Sequence, residues 1–239
     1  MTPPYNALGI IPARGGSKRL PRKNIRLLAG HPLIAYTIHA ARKAKLLTDF
    51  LVSSEDEEIL AQAKRYGAPT PFVRPAELAG DQVRNIDVIR HALFRMEESR
   101  GIRYDILVLL QPTSPVRSFE HIDEAIRLLH ASDLDTVASV KGPFKKRDPV
   151  AKTIRAGVLE DLCPVADYSD PEPLYMYNAS IYAMKRDFFL ETGRHVSRRQ
   201  VPLIMDQFHS VDVDTEADFL VAEALVKYLG LHSEVTPCD

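Results

Sequence analysis

The chain has 239 residues, 45% of them hydrophobic, with a formal net charge of −1 and a pI near 6.7. That length suits one large or two small domains with a substantial core, and the near-neutral balance removes the global basic field that nucleic-acid binding would need. Two cysteines, Cys163 and Cys238, lie far apart without metal-ligand spacing, which argues against a disulfide framework or zinc site and for a reducing cytoplasm. No apolar run approaches the roughly 20 residues that cross a bilayer, and M-T-P-P-Y-N lacks a signal peptide's apolar core, so a cytoplasmic protein away from membranes is expected.

In chain order, Ala7 to Pro12 reads as a buried strand that stops in a loop, I-I-P-A-R-G-G-S-K-R-L-P-R-K-N over Ile10 to Asn24. Gly15 and Gly16 are expected to take positive φ and to bring bare N–H groups to a ligand. Arg14, Lys18, Arg22 and Lys23 would add charge that a polyphosphate neutralises. Neither G-x-x-x-x-G-K-[ST] nor G-x-G-x-x-G is present, which disfavours a P-loop ATPase and a dinucleotide-dependent oxidoreductase. A helix is predicted over Leu33 to Lys45 and a strand over Phe50 to Ser53. Ser54 then suits the N-cap of E-D-E-E-I-L-A-Q-A-K-R-Y-G, with acids first, cations last and Gly67 at the stop. Further helices are expected at Asn85 to Glu98 and Phe119 to His130, the latter capped by Ser118, with strands at Ile106 to Leu110 and Thr136 to Val140. Repeated βα units predict a parallel sheet covered on both faces, with ligands at the strands' carboxyl ends.

Lys141 to Leu174, rich in proline and carrying a K-K-R cluster and an acidic run, is too long for an ordinary connection. Near the other end, V-D-V-D over Val211 to Asp214 would place Asp212 and Asp214 on one face of a strand. Two such carboxylates suit a hard divalent cation such as magnesium; Asp214 equally suits a cap for the helix beginning T-E-A-D-F. His232 to Asp239 reads as a frayed tail. None of the eight histidines forms a convincing catalytic pair, although His209 lies near the acids, and no serine or thiol nucleophile has an activating neighbour.

The loop A-R-G-G-S-K-R-L-P-R-K-N resembles the N-terminal signature of the acylneuraminate cytidylyltransferases, or CMP-sialic acid synthetases. L-Q-P-T-S-P-V-R from Leu110 to Arg117, Y-N-A-S-I-Y from Tyr177 to Tyr182 and S-V-D-V-D-T-E-A-D-F from Ser210 to Phe219 are similar to further segments of that family. The resemblance implies an α/β, Rossmann-like three-layer nucleotidyltransferase fold, mostly parallel, with core residues 1–140 and 179–231, an inserted dimerisation and acceptor-site segment at 141–178, and a flexible tail at 232–239. It implies transfer of CMP from CTP to the anomeric hydroxyl of an acidic α-keto sugar, with magnesium as cofactor and a homodimer as the assembly. Arg14, Gly15, Gly16, Ser17, Lys18, Lys23, Asn24, Arg74 and Gln111 match nucleotide-binding positions, and Lys18 and Lys23 together with Asp212 and Asp214 match catalytic ones. Asp212 and Asp214 also match the metal ligands, and Gln111, Asn178 and Tyr182 the acceptor site. Where the family usually has glycine after asparagine, this chain has Ala179. Lys145, Lys146, Arg147 and Arg155 are candidate partners for the sugar carboxylate. Legionaminic, pseudaminic and Kdo-type acceptors stay open, as does a nucleotide-binding module without turnover.

Overall fold

The computed structural model describes residues 4–80, 82–144, 152–155, 158–161 and 173–238. Its strands are β1 Ala7–Pro12, β2 Leu27–Leu28, β3 His31–Pro32, β4 Asp49–Ser53, β5 Ile106–Leu110, β6 Thr136–Phe144, β7 Lys152–Arg155, β8 Val158–Asp161, β9 Leu174–Lys185 and β10 Val201–Met205. Its α-helices are α1 Leu33–Lys43, α2 Glu57–Arg65, α3 Asn85–Arg100, α4 Phe119–His130, α5 Arg186–Thr192, α6 Glu216–Tyr228 and α7 Leu231–Glu234. Six strands form one sheet in the order β10-β6-β9-β5-β1-β4. β4, β1 and β5 pair in parallel, as do β6 and β10, and β9 runs antiparallel to both of its neighbours.

The apolar runs seen in the sequence are strands buried on both faces. Ala7 and Ile11 of β1 and Ile106, Val108 and Leu110 of β5 join the core under α1, α2, α4 and α6. Leu8, Ile10, Leu107 and Leu109 point the other way, into a core closed by Ile89, Leu93 and Met96 of α3 and Phe189 of α5. With no solvent face, such strands lose the polar alternation of a one-sided sheet. The expected layering, helices on both faces of a mostly parallel sheet, is thus what the chain builds.

Several boundaries move for local reasons. The N-cap of α2 is Asp56, whose carboxylate accepts from the Ile59 N–H at 3.0 Å, and Ser54 instead accepts from the Asp56 N–H at 3.1 Å. Gly67 sits just past the helix at φ +80°, as its place at the stop required. α1 ends two residues early, where Asp123 of α4 takes the N–H groups of Lys45 and Leu46, both at 2.9 Å. α3 runs on to Arg100, ending at left-handed Gly101. Ser118 does cap α4, and its own N–H donates to His121 Nδ1 at 3.2 Å.

The long excursion is shorter at both ends than expected, because Lys141 pairs with Met176 and Phe144 with Leu174, keeping β6 and β9 in the sheet to residues 144 and 174. Lys145, Lys146, Arg147 and the acidic run lie outside the described residues, as does the side chain of Arg155. Three residues of the C-terminal stretch expected to fray make contacts. Val235 is buried, Glu234 pairs with Lys43 at 2.6 Å, and the Cys238 N–H donates to the Arg65 carbonyl at 2.7 Å.

Between Ala138 and Val140 the register of β9 slips from Tyr182 to Tyr177, so residues 178–181 form a bulge. Ala179 sits inside it at φ +57°. A Cβ in the left-handed region costs about 1–2 kcal/mol, which glycine avoids. Ala179→Gly is therefore expected to stabilise the protein by about 1 kcal/mol and to raise the unfolding midpoint by about 2–4 °C for a chain of this size; a lower midpoint in calorimetry would mean that the Cβ makes contacts worth more than the strain.

Candidate active site

The chain leaves β1 for β4 on one side and later returns to β5 on the other, so the strand order reverses about β1. Crevices form at such a switch point, beyond the carboxyl ends of the strands. Here a cleft of about 510 Å³ opens there, with Arg14, Ser17, Lys18, Lys23 and Asn24 of the basic loop on one wall. Arg74, Gln111 and Asp214 line it too, so four separate stretches of sequence singled out for binding meet in one place. Arg14, Lys18, Arg19, Lys23 and Arg74 supply five cations against the one carboxylate of Asp214, an excess suited to a polyanion. The opposite wall, Leu78 to Gly80, Val83, Asn85 and Val88, carries no motif and escaped the sequence reading.

The loop is held from below. The Gly15 N–H donates to Glu55 Oε1 at 2.8 Å, the other Glu55 oxygen pairs with Arg74, and Arg74 Nη2 also donates to the Ala13 carbonyl at 3.3 Å. Arg74 is almost fully buried, so much of its guanidinium supports the loop. Asn24 Nδ2 donates to the Arg14 carbonyl at 2.9 Å. A Cβ at Gly15 would run into the Asp56 carboxylate, which would have to shift, whereas Gly16 has open surroundings. Neither has positive φ, contrary to expectation; the left-handed residue of this loop is Arg22, at φ +57°. Arg22 is also turned away from a polyphosphate role. It pairs with Asp56 and with Glu58, the latter at 2.6 Å. Glu55 and Asp56 follow the carboxyl end of β4, next to β1, and that adjacency was the only available hint of their part.

The V-D-V-D segment is not a strand but an extended stretch after the 3₁₀ turn Phe208–Ser210. Val213 fills the core, and its N–H donates to the Thr113 carbonyl at 2.7 Å. Asp214 is half exposed and lies 3.1 Å from both Lys23 Nζ and Arg19 Nη1. Lys23 Nζ donates to the Val213 carbonyl at 2.8 Å as well. Thr215 caps α6 with Asp218 in a reciprocal pair of hydrogen bonds, so Asp214 is not spent as the cap. Asp212 is more deeply set. Burial pushes its carboxyl above the ordinary range, the Asp214 charge pushes the same way, and a hydrogen bond from Thr113 opposes them. Its Oδ1 is buried without a partner. Among the described residues no three His, Cys, Asp or Glu side chains gather to hold a metal by themselves. Two carboxylates, one with an orphaned oxygen, fit an ion such as magnesium that keeps water and phosphate as its other ligands.

Asn178 and Tyr182 stand behind this site and do not line the cleft. Asn178 is buried, donating to Ser210 Oγ at 3.0 Å and accepting from the Ser180 N–H at 3.2 Å. The Tyr182 ring meets His195 edge-on at 5.2 Å, and burial raises its hydroxyl pKa. His209 does not join the acidic pair. It bonds Asp206 at 2.7 Å, with its ring 5.0 Å from that of His121.

A family model described as cytidylyltransferase matches residues 8–220. A CMP-N,N'-diacetyllegionaminic acid synthase of Legionella pneumophila is 34% identical over 226 residues, spanning 92% of this chain and 96% of that protein. An N-acylneuraminate cytidylyltransferase of Escherichia coli is 34% identical over 223 residues, covering 90% of this chain and 51% of the other. A solved CMP:2-keto-3-deoxy-manno-octonic acid synthetase complexed with CTP superposes with a TM-score of 0.70 at 17% identity, over 94% of this chain and 99% of that one, which shows the shared fold. With a matched region that runs from β1 through the acidic pair into α6, the chain belongs to the cytidylyltransferase family, as its resemblance to the acylneuraminate members implies.

Proposed function

We propose that the protein transfers CMP from CTP to the anomeric hydroxyl of a nonulosonic acid, releasing pyrophosphate. The observation that carries this reading is the cleft itself, where the cations of the basic loop face Asp214 at the switch point of the sheet. The hydroxyl oxygen attacks the α-phosphorus, the bond from that phosphorus to the α–β bridging oxygen breaks to release pyrophosphate, and the hydroxyl proton passes to solvent. Arg14, Ser17, Lys18 and Lys23 would hold the triphosphate and take up charge on the departing pyrophosphate, as fixed cations rather than bases. Leu78, Ala79, Val83 and Val88 would take the nucleoside, and Gln111 would stand between nucleotide and acceptor. Asp212 and Asp214 would hold magnesium, which when bound offsets triphosphate charge. In the free protein Lys23 and Arg19 occupy Asp214 instead, keeping that carboxylate compensated.

Neuraminic and legionaminic acids are the first acceptors to try, because relatives named for each reach 34% identity over at least 90% of this chain. We place the protein in the cytoplasm as a homodimer. Among the described residues no helix is long and apolar enough to cross a membrane. Leu174 to Tyr177, beside the inserted segment, are consecutively exposed, an apolar run suited to burial against a second copy.

Pyrophosphate release from CTP with magnesium, measured against neuraminic, legionaminic, pseudaminic and Kdo acceptors, is expected for one nonulosonic acid and abolished by chelation; CTP binding with no release on any acceptor would favour a module without turnover. Asp212→Asn should cut turnover by more than about 100-fold while leaving the midpoint of the metal-free protein unchanged or higher, since it removes a buried charge with an unpartnered oxygen. Unaltered turnover at saturating magnesium would discard the metal assignment. Lys18→Ala should weaken CTP use by roughly 10–100-fold, the loss of one charge-assisted contact of about 1.5–3 kcal/mol, and an unchanged CTP dependence would move the triphosphate elsewhere.

A further inference from the structure

Arg117 is buried beneath the cleft, at the end of L-Q-P-T-S-P-V-R, and no sequence signal set it apart from the rest of that segment. Its Nη2 donates to Thr37 Oγ1 at 2.7 Å and to the Gln111 carbonyl at 2.8 Å, and its Nη1 donates to the Ser180 carbonyl. All three acceptors are neutral, and its Nε is buried with no partner. Burial draws the guanidinium down to about 9, still charged at neutral pH. A buried cation paired only with carbonyls and a hydroxyl is costly, and such costs persist where geometry is worth them.

Each acceptor belongs to a different part of the site. Gln111 lines the cleft, and its turn continues to Thr113, whose carbonyl accepts from the Val213 N–H between the two aspartates. Ser180 lies in the bulge whose Asn178 donates to Ser210, two residues before Asp212. Thr37, on α1, fixes the fork to the scaffold. We propose that Arg117 is a positioning residue: its planar fork locks the Gln111–Thr113 turn to the bulge at 178–181, and so sets where Gln111 and the Asp212–Asp214 segment stand relative to the basic loop. The inference rests on the cytidylyl-transfer reading.

The guanidinium is needed for its shape, since a single lysine ammonium lacks the two-nitrogen fork that serves three acceptors here. Arg117→Lys should keep the charge, fold with a lowered midpoint and lose kcat by about 10–100-fold, as expected of a misplaced reacting group. The KM for CTP should stay within about threefold, because the loop that carries the triphosphate cations is held separately through Glu55 and Asn24. Thr37→Val, remote from the cleft, removes one arm and should lower kcat by about threefold to tenfold with CTP KM unchanged. The experiment is steady-state pyrophosphate release, normalised to folded protein by calorimetry, on wild type and both variants. Loss of kcat at constant CTP KM in either variant supports positioning. If Arg117→Lys turns over within twofold of wild type, charge alone suffices and the proposal falls. If Arg117→Lys does not fold, Thr37→Val decides, and an unaltered kcat there overturns it. Parallel losses of kcat and CTP affinity would mark a general anchor and overturn it too. Absence of release by the wild type on every acceptor would instead defeat the functional reading, so the two failures are distinguishable.

Discussion

The ammonium of Lys23 holds the site together. It reaches the Val213 carbonyl and the Asp214 carboxylate at once, joining segments 190 residues apart in the chain. Its side chain is largely covered, and the Asp214 carboxylate with the Val213 carbonyl gives the ammonium its partners without a second fixed anion. The contact exists because β1 lies beside β5, because the turn after β5 takes the Val213 N–H, and because Glu55 and Asn24 brace the basic loop from below. Removing any of these would leave the cations without an opposing carboxylate, and the cleft would become only a basic surface.

This geometry also gives the free protein a defined electrostatic state. The Asp214 carboxylate is spent on Lys23 and Arg19, and the Asp212 carboxylate is buried with one oxygen unserved. On the proposed reading, a polyanion entering with a divalent cation would offer Lys23 a phosphate in place of Asp214 and would free Asp214 for that cation. Binding of the two ligands would then be an exchange of partners rather than the creation of charge in a low-dielectric site, which limits the desolvation cost.

Much of the fold was legible because its signals are local. Runs such as I-L-V-L-L have no polar alternation only when both faces of a strand are covered, and Gly67 stands just past α2 with the left-handed φ that its place at the stop favours. The basic loop and Gln111 were legible as motifs, and the cleft unites them. What could not be read depends on contacts across the chain. Asp56 displaces Ser54 as cap, and Arg22 leaves the cleft for acids at the start of α2. V-D-V-D alternates like a strand but lies where no neighbouring strand is available, so it pairs only through Val213. Asn178, expected at the acceptor, is turned inward by the bulge to Ser210. Ala179 shows the converse, since the left-handed bend survives a residue ill suited to it because β5 and β6 pin the strand on both sides.

β9 has a consequence for how the chain reaches this state. It lies between β5 and β6, which do not pair with each other, and it is made after both. Until residues 174–185 arrive, β6 stands alone beside the piece β5-β1-β4, and the inner edges of β5 and β6 are unpaired. Such edges are templates for another chain, and closing them requires a long loop. The middle of the sheet therefore closes after its β5-β1-β4 part, and only the rim strand β10 is made later. Substitutions that slow the docking of β9 would be felt first as lost yield of folded protein through association of incomplete chains, before any loss of stability in the finished protein.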